Sequence, residues 1–309
     1  MTFPDRLFKL GTRRSPLAMA QAHEAQAALC AAHGWPLERV EIVAVTASGD
    51  KIQDRPLADI GGKALWTKEL DAWLIAGEID FAVHSLKDVE TIRPEAITIA
   101  AVLPREDVRD VLVGAGSIAD LPSGARVGTS APRRAAQLLN ARPDLNVVPI
   151  RGNVATRLAK LAAGEADATL LAAAGLNRLG EVDVGHALDT ETWLPAPAQG
   201  AIGIECRSDD DAMRGLLGAI NHQPSFDAVM AERALLTALG GNCHSPIAVL
   251  TVPEGGELVM RAALFSPDGA ERVEGTMRFA AGDSAASGAL AADLLRRAAP
   301  AIAQHFTGP

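Results

Sequence analysis

The amino-acid sequence predicts an α/β fold with two lobes, followed by a small α+β domain that contains an antiparallel sheet. Three observations carry this prediction: strand-like apolar runs alternate with helical segments over residues 7–220, one series of turns occurs twice, and the pattern changes near Pro224. Alternating strands and helices are typical of parallel sheets. The chain has 309 residues, 48% of them hydrophobic, which is enough for two or three domains with separate cores.

The first lobe begins with a βαβ pattern, which predicts a parallel sheet. Ser15 suits the N-cap of its first helix, and Pro16 suits the first helical position. The predicted elements are a strand at residues 7–10, a helix from Ser15 to His33, a strand at 40–45, a helix that ends before Gly77, and a strand at 81–83.

The second lobe repeats the turns of the first. A Gly-Thr pair that closes a strand, with serine and proline opening a helix, occurs at residues 11–16 and again at 128–132. By the same reasoning Ser130 is the expected N-cap of the second of these helices. A Gly-Glu-X-Asp turn leads into a strand at residues 77–80 and again at 164–167. We expect two lobes of related topology that face each other across a cleft.

Proline-containing segments at residues 103–106 and 194–197 suggest the lobe boundaries, and the strand at 201–206 is expected to rejoin the first lobe. After Pro224 a long helix and three strands indicate the α+β unit. Its predicted elements are a helix from Ser225 to Leu239, strands at 247–252, 257–265 and 271–279, and a terminal alanine-rich helix. The predicted domains are residues 1–103 with 198–219, residues 106–194, and residues 223–309.

A cluster of polar side chains follows the third predicted strand. Ser85, Lys87 and Asp88 come just after the apolar run at residues 81–83. In open α/β sheets ligands bind beyond the carboxyl ends of the strands, so these side chains lie at a candidate site. Taken alone, an adjacent lysine and aspartate more often form a solvated surface pair.

Arginines gather at the predicted helix starts of both lobes. Pairs stand at residues 13–14 and 133–134, and Arg151-Gly152-Asn153 opens another helix, with Arg157 one turn after this segment. Helix N-termini present free backbone N–H groups, and the planar guanidinium can bind both oxygens of a carboxylate. The cleft is therefore expected to bind a ligand with several carboxylates or phosphates.

A long polar loop spans residues 46–63 in the first lobe and ends in Lys63, whereas the second lobe has a short segment at the matching place. This loop is a candidate lid, with a disordered connection as an equal alternative. Lys63 and Lys87 add positive charge to the predicted cleft. Asp88 is then either a structural counter-ion or a group that stabilises developing positive charge.

Composition and spacing exclude several classes of protein. The net charge of −9 and the pI near 5.3 argue against a nucleic-acid partner. No histidine or cysteine has metal-ligand spacing, and the three cysteines form no disulfide framework. Cys30 and Cys206 suit core positions, whereas Cys243 stands in a glycine-rich turn where a thiol is accessible.

No apolar run approaches the length of a membrane span, and the Arg13-Arg14 pair lacks the apolar stretch that an export signal needs. We therefore expect a cytoplasmic protein. The Gly114-Ala115-Gly116 segment matches a loose dinucleotide-binding pattern, but Pro122 and Gly124 block the required helix. This segment is interpreted as a turn.

Six motifs in order along the chain closely resemble the hydroxymethylbilane synthase (porphobilinogen deaminase) family. They are GTRRSPLA at residues 11–18, GGKALWTKEL at 61–70, HSLKDV at 84–89, VGTS at 127–130 with Arg133 and Arg134, RGNV at 151–154 with Thr156 and Arg157, and QGA at 199–201. The sequence departs from the family pattern at Trp66, Pro132, Ala198 and Asn242. The resemblance implies two lobes like those of type II periplasmic binding proteins and a third domain that carries a cofactor cysteine.

The resemblance also implies roles for individual residues. Cys243 would attach a dipyrromethane cofactor through a thioether, and Asp88 would be the catalytic carboxylate. The residues implied in binding cofactor or substrate are Arg13, Ser15, Gln21, Lys63, Ser85, Lys87, Thr129, Ser130, Arg133, Arg134, Arg151, Gly152, Asn153, Arg157 and Gln199. No metal is implied.

The activity implied by the resemblance is a stepwise condensation of four porphobilinogen molecules onto the dipyrromethane primer, with loss of ammonia at each step and hydrolytic release of 1-hydroxymethylbilane. The product would pass to uroporphyrinogen-III synthase, and the protein would act as a monomer. A rival hypothesis is a non-enzymatic, two-lobed solute-binding or sensor protein that closes on an anion. That hypothesis explains the lobes and the arginines but leaves Cys243 and the third segment unexplained.

Overall fold

A computed structural model of the chain describes residues 6–45, 67–242 and 245–306. Its strands are β1 (Phe8–Arg13), β2 (Val40–Val45), β3 (Phe81–Ser85), β4 (Ile97–Val102), β5 (Asp110–Val113), β6 (Arg126–Gly128), β7 (Asn146–Val148), β8 (Ala168–Ala172), β9 (His186–Ala187), β10 (Ile202–Arg207), β11 (Ile247–Glu254), β12 (Glu257–Phe265) and β13 (Arg272–Phe279). Its α-helices are α1 (Pro16–His33), α2 (Lys68–Ala76), α3 (Pro132–Ala141), α4 (Val154–Ala162), α5 (Ala173–Arg178), α6 (Asp211–Gly218), α7 (Gln223–Ala238), α8 (Ser284–Arg297) and α9 (Pro300–Ala303).

These elements form two compact units. Among the described residues, the first unit contains residues 6–45, 67–106 and 201–226, and the second contains 107–200 and 227–306 without 243–244. The second unit holds both the second predicted lobe and the C-terminal antiparallel sheet. The predicted boundaries of three separate domains stay a prediction.

The sheet of the first unit has the strand order β2-β1-β3-β10-β4. Strand β1 is parallel to β2 and β3, as the βαβ pattern predicts. The predicted return of the chain to the first lobe is confirmed, because β10 lies between β3 and β4. The parallel pairing predicted from the βαβ pattern holds for β1, β2 and β3, whereas β10 is antiparallel to both of its neighbours. A strand that enters outside a βαβ crossover is not bound to the parallel direction.

The second unit repeats this arrangement with the order β7-β6-β8-β5-β9. Strand β6 is parallel to β7 and β8, and β5 is the antiparallel fourth strand. The repeat extends to packing: a Cβ added to Gly11 or to Gly128 would lie 2.3 Å from the Cδ1 atom of Ile79 or Ile150, respectively. The predicted similarity in topology of the two lobes is confirmed. The predicted turn after β5 is confirmed as well, since bends and turns follow Gly114.

Helices cover both faces of the first sheet. On one face, Ala22, Ala25 and Leu29 of α1 pack in one core with Phe8 and Leu10 of β1. On the other face, Leu70 and Leu74 of α2 form a second core with residues from the sheet. These residues are Ile79 just before β3, Ala82 of β3 and Ile97 of β4. A sheet buried on both faces reads as a continuous apolar run, which explains the sequence of β3.

The C-terminal sheet has the order β11-β12-β13, and both pairs are antiparallel. The predicted α+β unit is confirmed, with α7 beginning two residues before the expected Ser225. Leu235 and Leu239 pack with Leu290 and Leu294 of α8 and with the inner face of the sheet. Helix α7 therefore leads from this core to residues 239–242, the last described residues before Cys243.

Candidate active site

One pocket in the first unit collects five of the predicted site residues. Strand β3 ends at Ser85, and the 3-10 turn Leu86–Asp88 follows it. The pocket is lined by Arg13, Ser15, Leu17, Ala18, Gln21, Thr67, Val83, His84, Ser85, Asp88 and Val89. A cation, an amide, two hydroxyl groups and a carboxylate therefore share one concave surface at the carboxyl end of a central strand.

Local structure fixes the polar side of this pocket. Strand β1 ends at Arg13, and the Ser15 side chain caps α1 by accepting a 3.4 Å hydrogen bond from the backbone N–H of Ala18. One helical turn later, Gln21 Nε2 donates a 2.7 Å hydrogen bond to Ser85 Oγ. The start of α1 is thereby joined to the end of β3. Lys87 is half-buried in the same turn as Asp88 and has an interaction of its own.

A buried charge network lies next to the pocket. His84 Nε2 is 3.3 Å from Glu205 Oε2, and Glu205 also pairs with Arg93. Burial acts to raise the pKa of Glu205, but His84 and Arg93 overcome this effect and lower the pKa to about 2. Arg93 further pairs with Asp71 of α2 and with Glu90. Sequence reasoning missed this network, although a carboxylate inside the apolar strand β10 was a signal that a partner exists.

In the second unit, residues predicted to bind the ligand lie around the starts of α3 and α4. Asn153 caps α4 by accepting a 2.9 Å hydrogen bond from the Thr156 backbone N–H. Gly152 has a φ of 118° and accepts a 2.9 Å hydrogen bond from Arg157 Nε at its carbonyl. A Cβ at Gly152 would also lie 2.6 Å from Thr156, so glycine is required there. Arg151 stands beside this turn and has an interaction of its own.

The predicted cap of α3 is wrong. Ala131 occupies the N-cap and makes no side-chain cap, while Pro132 holds the first helical position as expected. Ser130 Oγ instead donates a 3.1 Å hydrogen bond to the carbonyl of Ile150. Thr129 is buried, and its Oγ1 accepts a 3.2 Å hydrogen bond from the Ala131 backbone N–H. A serine that bonds an adjacent loop is not available to cap the helix, which explains the difference.

The arginine pair of α3 is buried against an aspartate. Arg133 Nη1 and Arg134 Nη2 each lie 2.7 Å from a carboxylate oxygen of Asp110. Gln199 Nε2 and Trp193 Nε1 also donate to this carboxylate, at 2.9 Å and 2.8 Å. Burial alone would raise the pKa of Asp110, but the two arginines hold it well below its usual value. Ligand binding by Arg133, Arg134 and Gln199 stays a prediction, and the structure adds a buried counter-ion that the sequence did not indicate.

Two predicted site residues, Lys63 and Cys243, lie outside the described residues, as does the candidate lid at 46–63. The predicted core positions of the other two cysteines are confirmed, because Cys30 and Cys206 are free and buried. Burial raises the pKa of both thiols, to about 11 for Cys206.

Within residues 6–45, 67–242 and 245–306, no group of histidine, cysteine and carboxylate side chains could hold a metal ion. Over the same part of the chain, no helix is long and apolar enough to cross a membrane.

The fold and the pocket define a class of protein: two repeated α/β sheets with cationic and polar side chains near their strand ends, joined to a small α+β domain. Residues 8–215 match the family model described as "Porphobilinogen deaminase, dipyromethane cofactor binding domain", and residues 226–297 match "Porphobilinogen deaminase, C-terminal domain". The chain belongs to the porphobilinogen deaminase family, and its function is that of a hydroxymethylbilane synthase, a transferase of tetrapyrrole biosynthesis with a dipyrromethane cofactor. The resemblance drawn from the motifs is confirmed.

Full-length relatives agree with this assignment. The chain is 58% identical over 309 residues to a porphobilinogen deaminase of Sphingopyxis alaskensis, with 98% of each chain covered. It is 52% identical over 298 residues to the enzyme of the same name from Nitrobacter winogradskyi, with 96% of this chain and 94% of the relative covered.

Solved structures that are similar include the periplasmic VFT2 domain of BvgS from Bordetella pertussis, at 18% identity and a TM-score of 0.40, with 69% of this chain and 86% of that chain covered. A periplasmic substrate-binding protein of an ABC transporter from Coxiella burnetii is 16% identical with a TM-score of 0.42, covering 73% of this chain and 95% of that chain.

Proposed function

We propose that Asp88 is the catalytic carboxylate of this enzyme and that Cys243 is the attachment point of its dipyrromethane. The observation that supports the role of Asp88 is its place in one pocket with Arg13, at the carboxyl end of β3. Such a position is where open α/β sheets bind their ligands. A carboxylate and a cation on the same concave surface suit a ligand that has both N–H groups and carboxylates.

The side chains of the pocket fit a pyrrole that bears acetate and propionate groups. Arg13 supplies a guanidinium fork for a carboxylate, and Ser15 and Ser85 supply hydroxyl groups. Pro16 removes one of the free backbone N–H groups at the start of α1, but others remain to favour an anion there. When bound through Cys243, the dipyrromethane supplies the nucleophilic pyrrole carbon to which the porphobilinogen units are added.

Asp88 accepts hydrogen bonds from pyrrole N–H groups and stabilises the positive charge that develops as porphobilinogen loses ammonia. An ionised carboxylate held next to developing positive charge lowers the energy of the transition state, because the carboxylate is oriented before the reaction begins. Val83 and Val89 also line the pocket. Because their apolar side chains exclude water, they strengthen the interaction between the carboxylate and the positive charge.

The remaining predicted residues are proposed to hold the carboxylates of the growing chain, since every added unit brings two more. Gln21 and Lys87 of the first unit belong to this group, as does Lys63, which lies outside the described residues. In the second unit the group is Thr129, Ser130, Arg133, Arg134, Arg151, Gly152, Asn153, Arg157 and Gln199. The described residues of the second unit near the starts of α3 and α4 support this role, because free backbone N–H groups there add to the side chains.

The intact mass of the purified protein tests the attachment site. We expect the wild-type chain to exceed its sequence mass by two pyrrole units and the Cys243→Ser variant to lack this excess. Cys206→Ser, which changes a buried cysteine, should keep the modification and is the matched control. A catalytically active chain without any added mass contradicts the proposal.

The role of Asp88 is tested by Asp88→Asn, which keeps the side-chain shape. We expect the variant to fold normally and to release ammonia from porphobilinogen at least about a hundredfold more slowly, because a neutral amide does not stabilise positive charge. Turnover close to that of the wild type contradicts the assignment.

We further propose that the enzyme acts in the cytoplasm as a monomer and that its product passes to uroporphyrinogen-III synthase. The motif resemblance supports all three statements. Light scattering on the purified protein tests the monomer: a dimer mass at micromolar concentration contradicts it. A coupled assay with the second enzyme tests the transfer of product.

A further inference from the structure

Arg93 is connected on several sides to the segment that carries Asp88. We propose that Arg93 is a positioning residue, which holds the turn at residues 86–88 so that the Asp88 carboxylate keeps its place in the pocket. This inference rests on the proposed role of Asp88. It concerns a residue outside the predicted site, in the loop between that turn and β4.

The Arg93 guanidinium uses its whole donor edge. It makes a two-bond contact with Glu205, from Nε at 2.8 Å and from Nη2 at 2.9 Å. A second two-bond contact joins it to Asp71, from Nη2 at 2.5 Å and from Nη1 at 3.1 Å. Nη1 also donates to Glu90 at 3.0 Å. The Arg93 side chain is 8% exposed and Glu205 is fully buried, so these contacts lie in a low-dielectric environment.

The Arg93 guanidinium is connected to residues on both sides of the turn at residues 86–88. Before the turn, His84 of β3 lies 3.3 Å from Glu205, which Arg93 holds from the other side. After the turn, Glu90 is bound by Arg93 directly. Asp88 stands between these two anchors, four residues after one and two residues before the other. A displacement of either anchor would move the Asp88 backbone.

Helix α2 contributes the third side of the arrangement. Thr67, the residue before α2, donates a 2.7 Å hydrogen bond from Oγ1 to Glu90 Oε2 and lines the same pocket as Asp88. Arg93 Nη1 lies 3.4 Å from the same hydroxyl oxygen. The anchor after the turn is therefore held by two donors, and one of them belongs to the wall of the pocket.

Charge explains why an arginine is needed at this place. Asp71, Glu90 and Glu205 converge on Arg93, and without it three carboxylates would repel one another beside the pocket. The planar fork satisfies two carboxylates at once, whereas a lysine ammonium is a point charge with shorter reach. Burial acts to lower the pKa of Arg93, but Glu205 and Asp71 outweigh this effect and raise it, so the cation is permanent.

Two variants test the proposal. Arg93→Lys keeps the charge but not the fork, and Glu90→Ala removes only the anchor after the turn at a partly exposed site. We expect kcat for ammonia release to fall about tenfold or more in each, with KM for porphobilinogen changed less than about threefold, because misplacing a catalytic group by about 1 Å reduces the rate of the chemical step. Arg6→Ala, which breaks an exposed pair with Asp80, is the matched control and should keep wild-type kcat.

Rates are expressed per folded molecule, with the folded fraction taken from a denaturant curve of each variant. Glu90→Ala is expected to stay folded even where Arg93→Lys does not. Wild-type kcat per folded molecule in Glu90→Ala, or in a folded Arg93→Lys, overturns the proposal. The wild-type assay and Asp88→Asn are run alongside. If the wild type releases no ammonia, or if Asp88→Asn is fully active, the proposed function fails instead.

Discussion

The carboxylate of Glu232 accepts a 2.7 Å hydrogen bond from the backbone N–H of Ala198, a residue with a φ of 58°. Its other oxygen accepts a 2.8 Å hydrogen bond from the backbone N–H of Thr251 in β11. The left-handed conformation costs an L-residue about 1–2 kcal/mol, so the turn before Gln199 is held against its own preference. Ala198 is one of the departures from the family pattern, and Glu232 stabilises a conformation that glycine would adopt freely.

Replacing Glu232 by glutamine should lower the free energy of unfolding by about 1–3 kcal/mol, because the amide can accept from one backbone N–H but not from both. The midpoint of urea unfolding measures this change. Glu257→Gln is the control, since Glu257 makes an exposed contact with Arg278 at 3.7 Å and its loss should matter little. Equal effects of the two substitutions would contradict the role of Glu232.

Asp110→Asn should destabilise the protein by about 3 kcal/mol or more, because it leaves two buried guanidiniums without their shared counter-ion. Asp167→Asn, which weakens the exposed pair with Arg126, should cost less than about 1 kcal/mol. Both values come from the same unfolding measurement. A loss below about 1 kcal/mol for Asp110→Asn would show that the buried pair does not stabilise the second unit.

Acid should weaken the protein through Glu205. Its pKa is about 2 in the folded chain and 4.5 in the unfolded reference, so its ionisation stabilises the fold fully above pH 4.5 and progressively less as pH falls towards 2. This group should account for about 2 kcal/mol of stability lost between about pH 6 and about pH 3. Unfolding free energies of Glu205→Gln over this range should show a shallower slope than the wild type. An unchanged slope would contradict the assignment.

A thiol reagent should distinguish the three cysteines. In native protein that lacks the cofactor we expect one fast-reacting thiol, because Cys30 and Cys206 are buried with raised pKa values and hold little thiolate. The cofactor-loaded protein and Cys243→Ser should show none. Two or more fast thiols in the folded, cofactor-free chain would mean that the buried pair is accessible. Reaction of all three after unfolding in urea confirms the total.

Periodicity and turn chemistry predicted most of the fold. The two Gly-Thr turns identified the repeat because a glycine at the end of a strand, followed at once by the start of a helix, is a specific pattern. In the structure, both glycines pack closely against an isoleucine. The direction of β10 and β5 could not be predicted, since an apolar run contains no sign of which way it runs between its neighbours. That property depends on where the chain re-enters the sheet.

Only part of the pocket and its surroundings could be predicted from the sequence. Residues at strand ends, such as Ser85 and Asp88, are found from sequence because their position follows from the fold. The partners of buried charges are not, since Asp110 and Arg133 are 23 residues apart and Arg93 and Glu205 are 112 apart. A carboxylate inside an apolar strand signals that a cation is near, but not which one.

Strand β10 has a consequence for synthesis on the ribosome. It lies between β3 and β4, so the first sheet stays divided until residue 207 has left the exit tunnel. The second sheet needs no residue beyond 187. The sheet of the amino-terminal lobe, although its first strands are made first, is therefore the later of the two to be completed, and until then one edge of β3 stays unpaired.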